Sequence, residues 1–154
     1  MDGSQAVRAD VSRAVGRLSS DYVLRALRLL SDLHRTDLLT AIITQAIIAA
    51  NTSHLSDAPA HEDRYAGRND LPPDEARRPV SVLALADSLG LPFETTRRRV
   101  NKLIEAGRCV RVRGGVIVPS SVLDRKRYFD AQETNIGYVQ HFVRGLRRIG
   151  LELD

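Results

Sequence analysis

The stretch that decides the fold is residues 79–119, PVSVLALADSLGLPFETTRRRVNKLIEAGRCVRVRGGVIVP. It predicts a short helix over 82–89, because Ser81 can cap the first turn and Gly90 can end the helix in a left-handed conformation. A second helix is predicted over 93–106, since its apolar residues recur at spacings of three and four. The stretch therefore begins as two helices joined by a turn.

A β-hairpin is predicted directly after the second helix. Val110 and Val112 alternate with polar or basic residues, and residues 116–118 are three consecutive apolar residues that suit a return strand. Between them, Gly114-Gly115 is a two-residue turn of the kind that closes tight hairpins. Cys109 begins the first strand, where a lone cysteine is usually a small apolar filler rather than a redox sensor.

Two helices, a glycine turn and a hairpin, in this order, resemble the winged helix-turn-helix domains of bacterial transcriptional regulators. The resemblance covers residues 79–119 and rests on the small Ala86 where the helices cross, on Gly90 at the turn and on Gly107 before the hairpin. The matching apolar positions are Leu85, Leu89, Leu91, Val100 and Leu103. Thr96 departs from the family, which usually has a β-branched aliphatic residue there. The resemblance implies a mainly α fold with a small β-hairpin wing, and DNA binding.

Basic charge is concentrated in one part of the chain. The formal net charge is +4. Residues 97–127 contain ten Lys and Arg residues and two acidic residues, a net charge of +8 that leaves −4 for the remainder. A basic segment on a mildly acidic body is typical of a polyanion-binding surface, although a solvated charged face has the same composition.

The second helix divides into a buried and an exposed face. At 100° per residue, Thr96, Val100 and Leu103 share one face, and Arg99 lies near its edge. The candidate DNA-binding residues lie on the other faces or on the hairpin: Glu94, Thr95, Arg97, Arg98, Asn101, Lys102, Arg111 and Arg113.

These candidates have different expected roles. Arg98 suits guanine O6 and N7, Asn101 suits adenine N6 and N7, and Glu94 can accept from a cytosine amino group, each discriminating by roughly 1–3 kcal/mol. The others are placed for phosphates, which set register without reading sequence. As an alternative, Glu94 and Arg98 are four residues apart and can form an intrahelical ion pair on a solvated helix. The basic residues of the following hairpin favour DNA.

The segments before the winged domain differ in composition. Residues 1–19 are polar and small, and we expect them to be flexible. Residues 20–55 contain two helices, 20–35 and 37–55. The second is apolar over an arc wide enough to be largely buried, and we expect it to supply the first helix of the winged domain. Residues 56–78 contain three prolines and many charges, which indicates a linker or mobile loop.

A last helix is predicted in residues 120–154. Over 136–146 its apolar residues form a heptad seam, consisting of Ile136, Val139, Val143 and Leu146. Because a seam needs a partner, we expect this helix and the helix of 20–35 to pack together as a dimerisation element. A two-fold homodimer would then present two recognition helices to a palindrome.

Other function classes have little support. No apolar run reaches the roughly 18 residues of a membrane span, and the N-terminus lacks the apolar region of a secretory signal. One cysteine excludes an intrachain disulfide. The four histidines have no metal-ligand spacing, and no phosphate loop or catalytic constellation is present, so neither cofactor nor enzymatic activity is expected.

The sequence thus predicts a cytoplasmic regulator that binds double-stranded DNA. The second helix, 93–106, would lie in the major groove and the wing, 108–119, on the backbone. Two alternatives remain open. One is a winged helix that binds an acidic protein partner, and the other is a one-component sensor that responds to a small molecule.

Overall fold

The computed structural model describes residues 3–57, 64–65 and 70–151. This part of the chain is mainly helical with one two-stranded antiparallel sheet, so the predicted mainly α class is confirmed. The helices and strands are α1 (Gly3–His34), α2 (Leu38–Thr52), α3 (Val82–Leu89), α4 (Phe93–Glu105), β1 (Val110–Val112), β2 (Gly115–Ile117) and α5 (Arg125–Arg148). Short 3-10 turns lie at Ser53–Asp57, Asp74–Ala76 and Ser120–Val122. Much of the predicted linker, residues 58–63 and 66–69, lies outside the described residues.

α2 is the central helix of the core. Its N-cap is Asp37, whose side chain accepts a hydrogen bond from the Thr40 amide at 3.1 Å. Its wide apolar arc is buried as predicted and packs against α3, α4 and β2. The buried core cluster consists of Ile43, Ile47, Ile48, Leu85, Val100, Leu103, Cys109, Val116 and Val118.

α2 and the 3-10 turn that follows it form one apolar segment. The segment Leu38–Ser56 has the length and mean hydropathy of a membrane-spanning helix. The prediction that no apolar run is long enough to span a membrane was based on consecutive apolar residues. Mean hydropathy is an average over the segment, so it stays high despite the polar residues that the segment contains. Ile43 and Ile47 within it are fully buried in the folded chain, so packing against the neighbouring elements covers part of its apolar surface.

α3 and its boundaries follow the sequence prediction. The Ser81 hydroxyl accepts a hydrogen bond from the Ala84 amide at 3.1 Å, which caps the first turn. Gly90 has a φ of 64°, and the next amide, of Leu91, donates to the Ala86 carbonyl at 3.0 Å. This left-handed cap reverses the chain and sets the angle between α3 and α4.

The hairpin has a different register from the predicted one. Val112 pairs with Gly115, so the two-residue turn is Arg113-Gly114 and not Gly114-Gly115. Gly115 belongs to β2, where Val80 crosses it and forms an antiparallel bridge with Val116. A Cβ at residue 115 would lie 2.2 Å from the Val80 carbonyl oxygen, so only glycine fits this crossing.

Asn51 fixes the hairpin to α2. Its side chain is fully buried and makes three hydrogen bonds to backbone groups. Nδ2 donates to the Arg78 carbonyl at 2.7 Å and to the Val116 carbonyl at 3.1 Å, and Oδ1 accepts from the Val118 amide at 3.0 Å. One amide side chain thereby joins three segments that are far apart in sequence.

α1 and α5 form an antiparallel pair within one chain. Tyr22 stacks on Phe142 with ring centroids 5.5 Å apart, and the Tyr22 hydroxyl donates to Asn135 Oδ1 at 3.2 Å. The predicted packing of these two helices is therefore observed as an intrachain contact. α1 begins at Gly3, so residues 3–19, for which we predicted a flexible segment, continue the helix, because small and polar residues are also compatible with helix.

Candidate nucleic-acid interface

α4 has the two faces that its sequence predicts. Thr96 and Val100 are fully buried, and Leu103 is 5% exposed. The Thr96 hydroxyl donates to the Pro92 carbonyl at 3.1 Å, so the polar group that departs from the expected aliphatic residue has a partner. The opposite face is exposed and consists of Glu94, Arg97, Arg98, Lys102 and Glu105.

Glu94 pairs with Arg97 rather than with Arg98, the partner suggested by the spacing of four. Arg97 donates through Nε to Oε2 at 2.9 Å and through Nη2 to Oε1 at 2.6 Å. This hydrogen bonding lowers the pKa of Glu94 and raises the pKa of Arg97. This ion pair is exposed. Glu94 would have to share or break it in order to contact a cytosine, and Arg97 would have to share or break it in order to contact a phosphate.

Arg98 and Arg99 have contrasting surroundings. Arg98 is exposed and has no hydrogen-bond or ion-pair partner among the residues that the structure describes. Arg99 donates through Nη1 to Asp37 Oδ1 at 2.5 Å and to the Thr40 hydroxyl at 2.6 Å. The pKa of Asp37 is lowered, chiefly by its hydrogen bond from Thr40 and further by Arg99. Arg99 thus joins α4 to the start of α2 and has a structural role, which fits its position near the edge of the buried face of α4.

Asn101 and Arg111 connect α4 with the hairpin. Arg111 Nη2 donates to Asn101 Oδ1 at 3.1 Å, across a groove of about 430 Å³ that Phe93 and Arg97 also line. Asn101 Nδ2 has no partner within the described part of the chain, and Oδ1 retains acceptor capacity. The two side chains, predicted as separate DNA contacts, are a hydrogen-bonded pair.

A second groove, of about 630 Å³, lies on the other side of α4 against the start of α2. Three of the predicted residues, Thr95, Arg98 and Lys102, line it. Arg35 and Arg108, which are not among the predicted residues, line it as well. Arg108 belongs to the basic stretch 97–127, so charge density was an available signal. Arg35 lies in the α1–α2 connection with a φ of 49°, where no sequence pattern marks it.

The remaining predicted residue, Arg113, lies at the tip of the hairpin. It is exposed and has no ion-pair partner among the described residues. The structure therefore places the predicted residues on α4, on β1 and at this tip, with Asn101 and Arg111 in direct contact. Exposed guanidinium and ammonium groups on a helix and an adjacent turn can donate hydrogen bonds to phosphate oxygens and to base edges.

Neither the single cysteine nor the potential metal-ligating side chains form a site among the described residues. Cys109 is buried, its thiol donates to the Ile117 carbonyl at 3.2 Å, and burial raises its pKa, as is usual for a packed thiol. No group of three or more His, Cys, Asp or Glu side chains that could hold a metal ion occurs among the described residues. The chain matches no family model, no curated protein and no solved structure.

Proposed function

We propose that the chain is a sequence-specific transcriptional regulator that binds double-stranded DNA through a winged helix-turn-helix domain at residues 79–119. α4 would enter the major groove, and the β1–β2 hairpin would lie on the sugar-phosphate backbone as the wing. The observation that supports this most is the set of exposed cationic side chains around α4. It consists of Arg35, Arg98, Lys102, Arg108 and Arg113.

Each side chain has a proposed task. Arg98, which is exposed and unpaired within the described residues, reads guanine through its planar donors. Asn101 reads adenine while Arg111 holds it in place and contacts the backbone. Lys102 and Thr95 contact phosphates together with Arg35, Arg108 and Arg113. The Glu94–Arg97 pair lies at the first turn of α4, where Arg97 can contact a phosphate through its remaining nitrogen.

Selection of preferred duplexes from a random pool tests sequence-specific binding. Arg98→Ala should relax the preference at one base pair by about 1–3 kcal/mol, and Asn101→Ala should do so at another. Arg111→Ala should weaken binding to all sequences and, because Arg111 holds Asn101 in place, should also relax the preference at the base pair that Asn101 reads. Arg144→Ala, at an exposed position on α5, serves as the control. An unchanged preference in the Arg98 variant would remove its assigned role in direct readout.

We further propose that the regulator is a homodimer assembled through the α1–α5 pair. Several apolar side chains of this pair remain exposed in one chain: Val23 is 48%, Ile136 49% and Val139 38% exposed. Ile136 and Val139 belong to the predicted heptad seam, and the contact of α5 with α1 leaves them uncovered. To bind a palindrome, a two-fold dimer has to place its two α4 helices about 34–36 Å apart, one turn of duplex DNA.

Sedimentation tests the dimer. Ile136→Glu should convert a dimer to a monomer, because it adds a charge to an apolar interface. Gln140→Glu introduces the same side chain at an exposed neighbouring position and should leave the dimer intact. A wild-type chain that sediments as a monomer at micromolar concentration would contradict this part of the proposal.

The same basic surface would also suit an acidic protein partner. We propose DNA, and we expect duplex binding to depend on salt concentration and on base sequence. A cytoplasmic location and the absence of enzymatic activity, cofactor and membrane attachment remain predictions that follow from this function. Response to a small molecule, the other alternative, stays a prediction.

A further inference from the structure

Phe93 is an exposed aromatic side chain on a surface that is otherwise polar and cationic. It is the first residue of α4 and is 47% exposed. At 100° per residue it shares a flank of the helix with Arg97 and Asn101, the flank that faces the hairpin. Among the described residues it takes part in neither ring stacking nor a cation-π contact. Folding therefore leaves much of this ring in water, so a partner that covers it gains favourable apolar burial.

Phe93 lines the groove of about 430 Å³ between α4 and the hairpin, where Asn101 and Arg111 are hydrogen-bonded. Leu83, near the start of α3, is a second exposed apolar side chain in its lining and is 57% exposed. The charged residues that line the groove are Arg97 and Arg111, and no acidic residue of the described chain lines it. An occupant that suits this lining has an apolar group for the ring and negative charge for the two arginines.

A thymine nucleotide has both of these properties. Its 5-methyl group is an apolar feature that a base edge presents in the major groove, and the phosphates of its strand carry negative charge. Phe93 lies in the first turn of α4, and the N-terminal residues of a recognition helix are those that contact base edges. Apolar contact between a phenylalanine ring and a thymine methyl group is an established form of base readout.

We propose that Phe93 reads the 5-methyl group of a thymine in the major groove, which adds a third base contact to those proposed for Arg98 and Asn101. This inference rests on the proposed DNA-binding function. The ring and the methyl group leave water together, whereas a base without the methyl group leaves the ring uncovered. Burial of one methyl group corresponds to a change in affinity of about three- to fivefold.

The test removes the methyl group from the DNA and the ring from the protein. In the duplex that the wild-type chain selects from a random pool, each thymine is replaced in turn by deoxyuridine, which lacks only the methyl group. Fluorescence anisotropy should show one position in each half-site at which deoxyuridine weakens wild-type binding by about three- to fivefold. Phe93→Ala should bind thymine and deoxyuridine equally at that position. Leu83→Ala, the matched control, removes an exposed apolar side chain from the same groove and should keep the preference for thymine.

Two results would overturn the inference. In one, the wild-type chain binds every deoxyuridine duplex as tightly as the thymine duplex, and in the other, Phe93→Ala keeps the preference for thymine. If Phe93→Ala does not fold, Phe93→Gln decides, because it replaces the ring with a polar side chain and should also lose the preference. Failure of the inference leaves sequence-preferred duplex binding in place, whereas failure of the proposed function removes that binding from the wild-type chain itself.

Discussion

Asn51 should be the most sensitive polar position in the fold, because its buried side chain holds the hairpin against α2. Replacing it with alanine removes three hydrogen bonds. The Val116 carbonyl keeps a second donor, the Val80 amide at 3.1 Å, but the buried Val118 amide loses its acceptor. An unsatisfied buried donor costs about 1–3 kcal/mol, and loss of the bond to the Arg78 carbonyl adds about 1 kcal/mol.

The higher helix propensity of alanine offsets about 0.5 kcal/mol of this loss. We therefore expect Asn51→Ala to lower the free energy of unfolding by about 1.5–3.5 kcal/mol, measured by urea denaturation. Thr52→Ala is the matched control, since the Thr52 hydroxyl bonds only within its own helix, to the Ile48 carbonyl, and its loss should change stability by no more than about 0.5 kcal/mol. A loss below about 1 kcal/mol in the Asn51 variant would refute the claim that this side chain anchors the hairpin.

Three further predictions concern Gly115, acid stability and the contact between α4 and the hairpin. Gly115→Ala should cost about 2 kcal/mol or more in urea unfolding, because its Cβ would meet backbone at 2.2 Å, whereas Gly16→Ala meets nothing within 4 Å and should be neutral or stabilising. Burial lowers the pKa of His34 below its ordinary 6.5, so the unfolded chain binds a proton more readily. Stability should fall as the pH drops from about 7 to about 5, and less so in His34→Gln; equal losses in both proteins would contradict this. In duplex-binding measurements, Asn101→Ala and Arg111→Ala should be non-additive by about 0.5–1 kcal/mol, since the side chains share a hydrogen bond; strict additivity would argue that they act independently.

Local signals in the sequence were sufficient for the elements around the site. Ser81 and Gly90 determine the ends of α3 through hydrogen bonds within a few residues, so pattern alone predicts them. The helical period of α4 similarly identified its buried face. The turn of the hairpin could not be predicted as reliably, because the choice between two adjacent glycine-containing turns depends on Val80, which crosses β2 from a distant part of the chain.

The features that the sequence did not reveal depend on side-chain geometry within a helix or on tertiary contacts. Whether Glu94 pairs with Arg97 or Arg98 is decided by side-chain geometry on one helix, where spacings of three and four are both possible. Arg35 joins the basic groove only because α1 and α2 meet beside α4. Arg77 lies in a segment whose composition indicates a linker, so its burial becomes visible only in the folded chain.

The salt dependence of duplex binding tests the central claim most directly. Fluorescence anisotropy with a selected duplex, from about 50 mM to about 300 mM salt, should give a steep linear loss of log affinity, with a slope near −0.9 for each phosphate contacted. Changing Arg97, Arg98 and Lys102 together to alanine should weaken binding and make the slope shallower by about 1–2. The matched control changes Arg144, Arg147 and Arg148 on α5, which removes the same charge and should alter the slope little. Tight duplex binding that is insensitive to salt, or equally affected by both triple variants, would contradict the account.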